Sequence, residues 1–361
     1  MEQQAAPDGG GMRVITLGTA GGPLLRRGRD PRHRSGIATA VVVDSAVYLV
    51  DCGHGAAHRM AEAGLRVADL AGVFITHHHS DHTIDLNSLM VLGGLGLRGH
   101  PDRTVPVLGP GRRGVLPPAH GHPGAAPDPV FPDAPTPGTA DLVELLLRAH
   151  ATDLNDRRRD SRAPDLSRVF RGEDIAIPAA AGFHPDDANH PDVDPWEVFS
   201  DDRVRVTATL VQHQPVAPAF AFRIDSVHGS VTVSGDTAPS ANLVRLASGC
   251  DLLLHEAIDL DSVATSYHRP SPQDLDASMG HHRRAHTTPE DAGRIAEAAG
   301  VGILALHHLV PSDAPEQCWQ RAATTFSGTL RVPADGESIT VGPHGAKNIF
   351  SVDLCITPPL V

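Results

Sequence analysis

The chain has 361 residues and a formal net charge of −13 when its 23 histidines are counted as neutral. This acidic balance argues against a dedicated nucleic-acid-binding protein, because contacts to phosphate groups need clustered lysines and arginines, although bound divalent metal would add local positive charge. The length is sufficient for one large domain with a substantial core.

The sequence also predicts the bounds of the folded domain and the cellular compartment of the protein. Residues 1–11 are polar and glycine-rich and are predicted to be disordered, so that the folded domain spans residues 12–361. No apolar run approaches the roughly 18 residues that would cross a bilayer. We predict a cytoplasmic protein with reduced thiols, because no Cys-x-x-Cys pair indicates a thiolate zinc site or a disulfide framework. The four scattered cysteines are Cys52, Cys250, Cys318 and Cys355.

The first predicted elements are strands. Residues 12–17 alternate apolar side chains, and the glycine-rich stretch 18–23 follows, either as a plain turn or as a loop whose backbone approaches a ligand. Residues 37–43 and 46–50 are predicted as a strand pair. This pair ends at Asp51, where a carboxylate is placed to orient a metal-bound histidine.

The pattern His-x-His-x-Asp-His follows the next predicted strand, residues 73–76, and precedes a predicted helix, residues 84–91. A histidine-rich surface loop is the alternative interpretation. Imidazoles and a carboxylate are good zinc ligands. Three imidazoles and one carboxylate are too many for one tetrahedral ion with an open position, which indicates two ions completed from elsewhere in the chain. The residues of the pattern are His77, His79, Asp81 and His82.

The composition changes between residues 115 and 202, where proline is dense and one helix is predicted, residues 140–150. This stretch is too long for an ordinary loop. We predict an inserted segment that acts as a cap or as a subunit contact.

Further predicted strands end at ligand-type residues. In layered α/β proteins sites form outside the ends of the strands, so these side chains are expected to meet. A polar loop, residues 259–284, leads to His286 and to a helix, residues 289–299, with Thr288 as its N-cap. The residues at the strand ends are His213, Asp236, His255, Glu256, His307 and His308.

The His-x-His-x-Asp-His pattern, together with the later His213, Asp236 and His308, resembles the metallo-β-lactamase superfamily. The pairing of His255-Glu256-Ala257 with His286-Thr287-Thr288 is similar to its ribonuclease Z and arylsulfatase-like branch. The resemblance implies an α+β four-layer αββα sandwich with two zinc ions, or manganese or iron as alternatives. His308 is chosen over His307 because the family pattern places the ligand two residues before the Val-Pro step. The implied ligands are His77, His79 and His213 for one ion, Asp81, His82 and His308 for the other, and Asp236 between them.

The expected chemistry is hydrolysis. A hydroxide that bridges two zinc ions is available at neutral pH and attacks phosphorus, sulfur or an acyl carbon. Asp81 is the candidate acceptor of the proton of the water. His286, oriented by Glu256, is the candidate donor to the leaving group. A purely structural role beside the helix end is the alternative for His286.

The motifs are compatible with more than one class of substrate. Ribonuclease Z enzymes carry a tRNA-gripping arm between the third histidine and the bridging aspartate. Only 22 residues separate His213 from Asp236. We therefore place a small phosphodiester or a sulfate or aryl ester first. The alternative is a ribonuclease Z-like endonuclease that processes tRNA 3′ ends, and an iron oxidoreductase or an inactive metal-binding protein ranks lower. The expected partner is a small anionic ester, with no nucleic acid and no membrane, and the expected assembly is a homodimer.

Overall fold

The computed structural model describes residues 10–22, 34–98, 102–118, 126–267 and 271–342. The predicted disorder of residues 1–11 falls almost entirely outside these ranges, as does Cys355. Among the described helices, none combines the length and the apolar character that crossing a bilayer requires. The predicted cytoplasmic location stays a prediction.

The described strands form two mixed sheets of seven strands each. The spatial order is β14-β1-β2-β3-β4-β5-β6 in the first sheet and β13-β12-β11-β10-β9-β8-β7 in the second. In chain order the strands are β1 (Met12–Gly18), β2 (Ala38–Val43), β3 (Ala46–Val50), β4 (Leu70–Phe74), β5 (Val105–Gly109), β6 (Phe170–Asp174), β7 (Trp196–Ser200), β8 (Val204–Leu210), β9 (Phe220–Ser226), β10 (Gly229–Val233), β11 (Leu252–Ile258), β12 (Ile303–Val310), β13 (Thr329–Arg331) and β14 (Glu337–Val341).

The described α-helices lie mostly on the outer faces of these sheets. They are α1 (Ala56–Glu62), α2 (Ser80–Thr83), α3 (Thr139–Ala149), α4 (Ala151–Ser161), α5 (Leu166–Val169), α6 (Ala241–Leu246), α7 (Leu260–Ser266), α8 (Pro272–Ala285), α9 (Pro289–Ala299) and α10 (Glu316–Gln320).

The alternation of side chains along β1 shows how the layers are built. Val14 belongs to the core between the two sheets, whereas Ile15 and Leu17 belong to the core between the first sheet and its helices. Successive side chains of a strand point to opposite faces, so a strand that is apolar on both faces must be covered on both. On the second sheet, α6 and α9 supply the outer layer. The fold is the predicted αββα sandwich.

Two predicted elements differ from the structure. The helix predicted for residues 84–91 is not one α-helix: α2 spans only Ser80–Thr83 and contains Asp81 and His82, and a π-helical turn covers Ser88–Leu92. The predicted polar loop 259–284 instead contains α7 and α8. The side chain of Ser271 caps α8 by accepting the backbone N–H of Asp274, and a proline occupies its first turn. This local signal outweighs the polar composition that had indicated a loop.

The predicted insertion, residues 115–202, contributes regular structure to the sandwich. The helix predicted there is present as α3, and α4 and α5 follow it. The segment also supplies β6 and β7, one edge strand for each sheet. A role as a cap or as a subunit contact stays a prediction.

The inter-sheet core should dominate the stability of the fold. Phe222 is fully buried, with its ring centroid 5.7 Å from that of Phe74. We expect Phe222→Ala to lower the free energy of unfolding by about 3–5 kcal/mol, because a cavity remains between the sheets. The control Val227→Ala, at a side chain that is 90% exposed, should change it by less than about 0.5 kcal/mol. Urea unfolding of the metal-free protein measures both, and equal effects would contradict this assignment of the core.

Candidate metal centre

The predicted ligands come together at one edge of the sandwich. His77 and His79 follow β4 of the first sheet, and α2 begins directly after them. His213 and Asp236 follow β8 and β10 of the second sheet, and His308 lies in β12. The site therefore joins the two sheets at the ends of their strands.

The first ligand group contains His77, His79, His213 and Asp236, whose ligand atoms all lie within 4.8 Å of one another. Nδ1 of His79 is 2.9 Å from Nε2 of His77 and 3.2 Å from Nε2 of His213. All four side chains are buried except that of His79, which is half-buried.

The second ligand group contains Asp81, His82 and His308, again with all ligand atoms within 4.8 Å of one another. The Nε2 atoms of His82 and His308 face each other at 3.2 Å. Asp81 is the most accessible ligand of this group, with 21% of its side chain exposed.

Asp236, a member of the first group, also faces the second group. Its Oδ2 is 3.9 Å from Nε2 of His77 and 3.8 Å from Nε2 of His213. Its Oδ1 is 3.4 Å from Nε2 of His82 and 3.2 Å from Nε2 of His308. Each carboxylate oxygen thus faces one group, which is the arrangement that a bridging ligand requires.

The donor set fits divalent metal. Burial lowers the pKa of His77 and of His213 well below the usual range, which favours the neutral, ligating imidazole. Burial alone would raise the pKa of Asp236, but His308 and His82 beside it hold that pKa well below its usual range. Neutral ring nitrogens that converge at about 3 Å present lone pairs to one another, and a cation between them relieves that repulsion.

Other groups fix the orientation of the ligand rings. Nδ1–H of His82 donates to Asp51 at 2.8 Å, and Asp51 also accepts the backbone N–H of Thr76 at 2.8 Å. Nδ1–H of His213 donates to the carbonyl of Ala285 at 2.9 Å. In each ring Nε2 is left to face the centre, the usual arrangement of metal-bound histidine. Asp51 has the orienting position expected from the sequence.

The glycine-rich loop after β1 takes part in the site. The backbone N–H of Gly22 donates to Oδ2 of Asp81 at 2.8 Å. A Cβ atom at Gly21 would lie 2.3 Å from the ring of His308, so only glycine allows this approach. Of the two alternatives for this loop, the structure supports close approach of the backbone to the site.

His286 and Glu256 form a buried pair beside the ligand groups. Nδ1–H of His286 donates to Oε1 of Glu256 at 2.9 Å, and Oε1 also accepts the backbone N–H of Thr237 at 2.9 Å. Burial alone would lower the pKa of His286, but the carboxylate of Glu256, with a smaller contribution from Asp236, raises it to about 9. His286 is therefore held in one orientation with a strong preference for its protonated form.

The remaining histidines of the motifs point elsewhere. Nδ1 of His307 is 3.4 Å from Oγ1 of Thr39, and burial lowers the pKa of His307 to about 3. Nε2 of His78 is 2.9 Å from Oγ1 of Thr139. His255 is buried, and its Nδ1–H donates to the carbonyl of Glu256. The choice of His308 over His307 agrees with this geometry.

One cavity opens at the centre, and a larger cleft adjoins that cavity. A cavity of about 230 Å³ is lined by Asp81, His286 and His308, among others. A cleft of about 920 Å³ lies between the loop around residues 185–189 and α8. Tyr267 and His282 line both, so they stand at the junction.

Comparisons with known proteins identify a matching family and similar folds. Residues 38–94 match a family described as "Anti-Pycsar protein Apyc1". Among solved structures, human tRNase Z, short form (ELAC1), has a TM-score of 0.58 at 18% identity, covering 91% of this chain and 99% of the other. The metallo-β-lactamase fold protein YhfI from Bacillus subtilis has a TM-score of 0.56 at 19% identity, with the same coverage.

Relatives of similar sequence align over almost the whole chain. A protein named Ribonuclease Z from Mycobacterium bovis (strain BCG / Pasteur 1173P2) is 30% identical over 336 residues, which is 92% of this chain and 100% of the relative. A protein of the same name from Mycobacterium sp. (strain KMS) is 31% identical over 92% of this chain and 97% of the relative. The chain belongs to the ribonuclease Z family.

Proposed function

We propose that this protein is a phosphodiesterase of the ribonuclease Z type that uses two metal ions to cleave RNA. The observation that carries the proposal is Asp236 between two ligand groups, with the His286–Glu256 pair beside them. Relatives named Ribonuclease Z align over almost the whole chain. The sequence favours a small phosphodiester or a sulfate or aryl ester as the substrate, whereas the comparisons support the alternative, the ribonuclease, better.

The ligand groups divide the proposed metal ions between them. We assign zinc as the metal, because imidazole and carboxylate donors suit it, with manganese or iron as alternatives. When bound, such a pair of ions would make water nucleophilic at neutral pH and neutralise charge on the phosphate oxygens. One ion would be held by His77, His79 and His213, the other by Asp81, His82 and His308, with Asp236 shared.

The protein's own groups would move the protons. Asp81 lines the smaller cavity and is held by the backbone N–H of Gly22, so its carboxylate is placed to accept the proton of the attacking water. Glu256 engages Nδ1 of His286, which leaves Nε2–H to donate to the leaving oxygen as the phosphorus–oxygen bond breaks.

A small phosphodiester is a second candidate, and a specific observation favours it. The segment between His213 and Asp236 forms only β9 and β10, which are joined by a short turn, so it carries no arm that could grip a folded RNA. The expected small anionic partner and the exclusion of nucleic acid belong to this second candidate, whereas the absence of a membrane partner and the homodimer stay predictions under both. The experiment below decides between RNA and a small diester.

The substrate test compares ester classes on the zinc-loaded protein. With two equivalents of zinc supplied, we expect both ions to be bound at the two ligand groups, and we expect cleavage of a precursor tRNA at its 3′ trailer. Turnover of bis(p-nitrophenyl) phosphate without RNA cleavage would support the second candidate. Turnover of p-nitrophenyl sulfate alone, or of none of these compounds, would overturn the proposal. Asp236→Ala, which removes the shared ligand, is the inactive control.

The role of His286 predicts a dependence on the leaving group. His286→Ala should keep both metal ions but slow cleavage of RNA about 100-fold or more, because a ribose oxygen leaves poorly without a proton. Cleavage of bis(p-nitrophenyl) phosphate should change far less, because p-nitrophenolate leaves without one. His58→Ala, at a histidine on α1 whose side chain is 77% exposed, is the control. An equal loss with both substrates would remove His286 as the proton donor.

Glu256 should determine the alkaline limit of the reaction. A proton donor is active only below its pKa, so the rate falls as pH rises through the pKa of His286. Because the Glu256 carboxylate raises that pKa, Glu256→Gln should move the fall to lower pH by about one unit or more. The pH profile of kcat for RNA cleavage measures the shift, with Glu62→Gln as a surface control. An unmoved alkaline limb would contradict the role of Glu256.

A further inference from the structure

A third cluster of histidines lies next to the two ligand groups and shares no residue with them. The ligand atoms of His281, His282 and His286 all lie within 4.8 Å of one another. The ring centroids of His282 and His286 are 5.9 Å apart, and those of His281 and His282 are 5.5 Å apart. The cluster forms because α8 ends at Ala285 and presents two histidines in its last turns, while His286 follows directly.

We infer that His281, His282 and His286 bind a third zinc ion, which inhibits the enzyme. Three imidazoles with a fourth position open to water or a small anion form a common zinc coordination set. The inhibitory effect rests on the proposed function, whereas the binding of the ion does not.

Two of these rings already have the outer contacts of metal ligands. Glu256 accepts Nδ1–H of His286 and so leaves Nε2 as the ligating atom. The hydroxyl of Tyr267 lies 3.0 Å from Nε2 of His282, and a metal at Nδ1 of His282 would leave that contact intact. A carboxylate, carbonyl or hydroxyl on the second ring nitrogen fixes the tautomer and the orientation of a metal-bound histidine. His82 and His213 are held in the same way, by Asp51 and by the carbonyl of Ala285.

The cluster has its own access from solvent. His281 and His282 line the larger cleft, whereas His282 and His286 line the smaller cavity. An ion could therefore reach the cluster from the cleft without passing the two ligand groups. The exposure of this route predicts weaker, reversible binding than at the buried centre.

Inhibition follows from the atom that the ion would occupy. Nε2 of His286 is the nitrogen that donates a proton to the leaving oxygen in the proposed reaction. An ion on that nitrogen replaces the proton, so the leaving group departs unprotonated. Zinc in excess of the two catalytic equivalents should then slow RNA cleavage while the other ligands remain in place.

The binding test needs no turnover. Equilibrium dialysis of the folded protein against zinc should give about three ions per chain for the wild type and about two for His281→Ala. Tyr267→Phe, which keeps the ring and removes the hydroxyl, should weaken the third site about 10-fold. His58→Ala should leave all sites unchanged. Two ions in the wild type, or a third ion held equally by His281→Ala, would overturn the inference.

The kinetic test links the site to inhibition. Excess zinc should slow RNA cleavage by the wild type and should not slow cleavage by His281→Ala, which retains His286. Equal inhibition of both proteins, or activation by the third ion, would overturn the inhibitory role. If the wild type cleaves no phosphodiester, the proposed function fails, and the dialysis result alone still decides whether the third site exists.

Discussion

The position of one buried carboxylate, Asp236, is the constraint on which the rest of the site depends. Only 3% of its side chain is exposed, and burying a charge is costly unless it is paired. Gly235 makes the position possible: its φ is +58°, and a Cβ there would lie 2.6 Å from the carbonyl oxygen of Phe220 and 2.9 Å from Cβ of Thr76. A side chain at residue 235 would push the turn, and with it Asp236, out of the gap between the sheets.

The residues that pack against this turn, Phe220 and Thr76, also couple the site to the fold. The backbone N–H of Phe220 donates to the carbonyl of Thr76 at 2.9 Å, which ties the second sheet to the residue just before His77. Ligands from both sheets can therefore converge only when the sandwich is closed. Because the unfolded chain has no such site, metal bound here adds its binding free energy to the stability of the closed state. Metal bound at the centre would therefore stabilise the fold that brings its ligands together.

This coupling explains which parts of the site could be predicted from sequence. The convergence of the candidate ligands could be, because each is a chemically distinctive residue near the end of an apolar strand. The contributions of Gly22 and of the Ala285 carbonyl could not be, because they are backbone groups placed by contacts between distant segments. Helices α7 and α8 were missed because their polar composition hid the cap at Ser271. Strands β6 and β7 were missed because prolines surround them and, as edge strands, they bury only part of their surface.

The acidic net charge of the chain is compatible with its ribonuclease relatives. The proposed cleavage step depends on the metal ions, whereas net charge affects how strongly the rest of an RNA would bind. The reacting phosphate would meet metal ions, whose local positive charge is independent of the net charge of the chain. The grip on the rest of an RNA needs contacts to further phosphates, and each such contact adds to the dependence of affinity on salt. In the larger cleft, Arg113 is already paired with Asp186. The proposed chemistry would thus act on a phosphodiester of any size, and the number of unpaired cations around the centre would decide whether RNA is held.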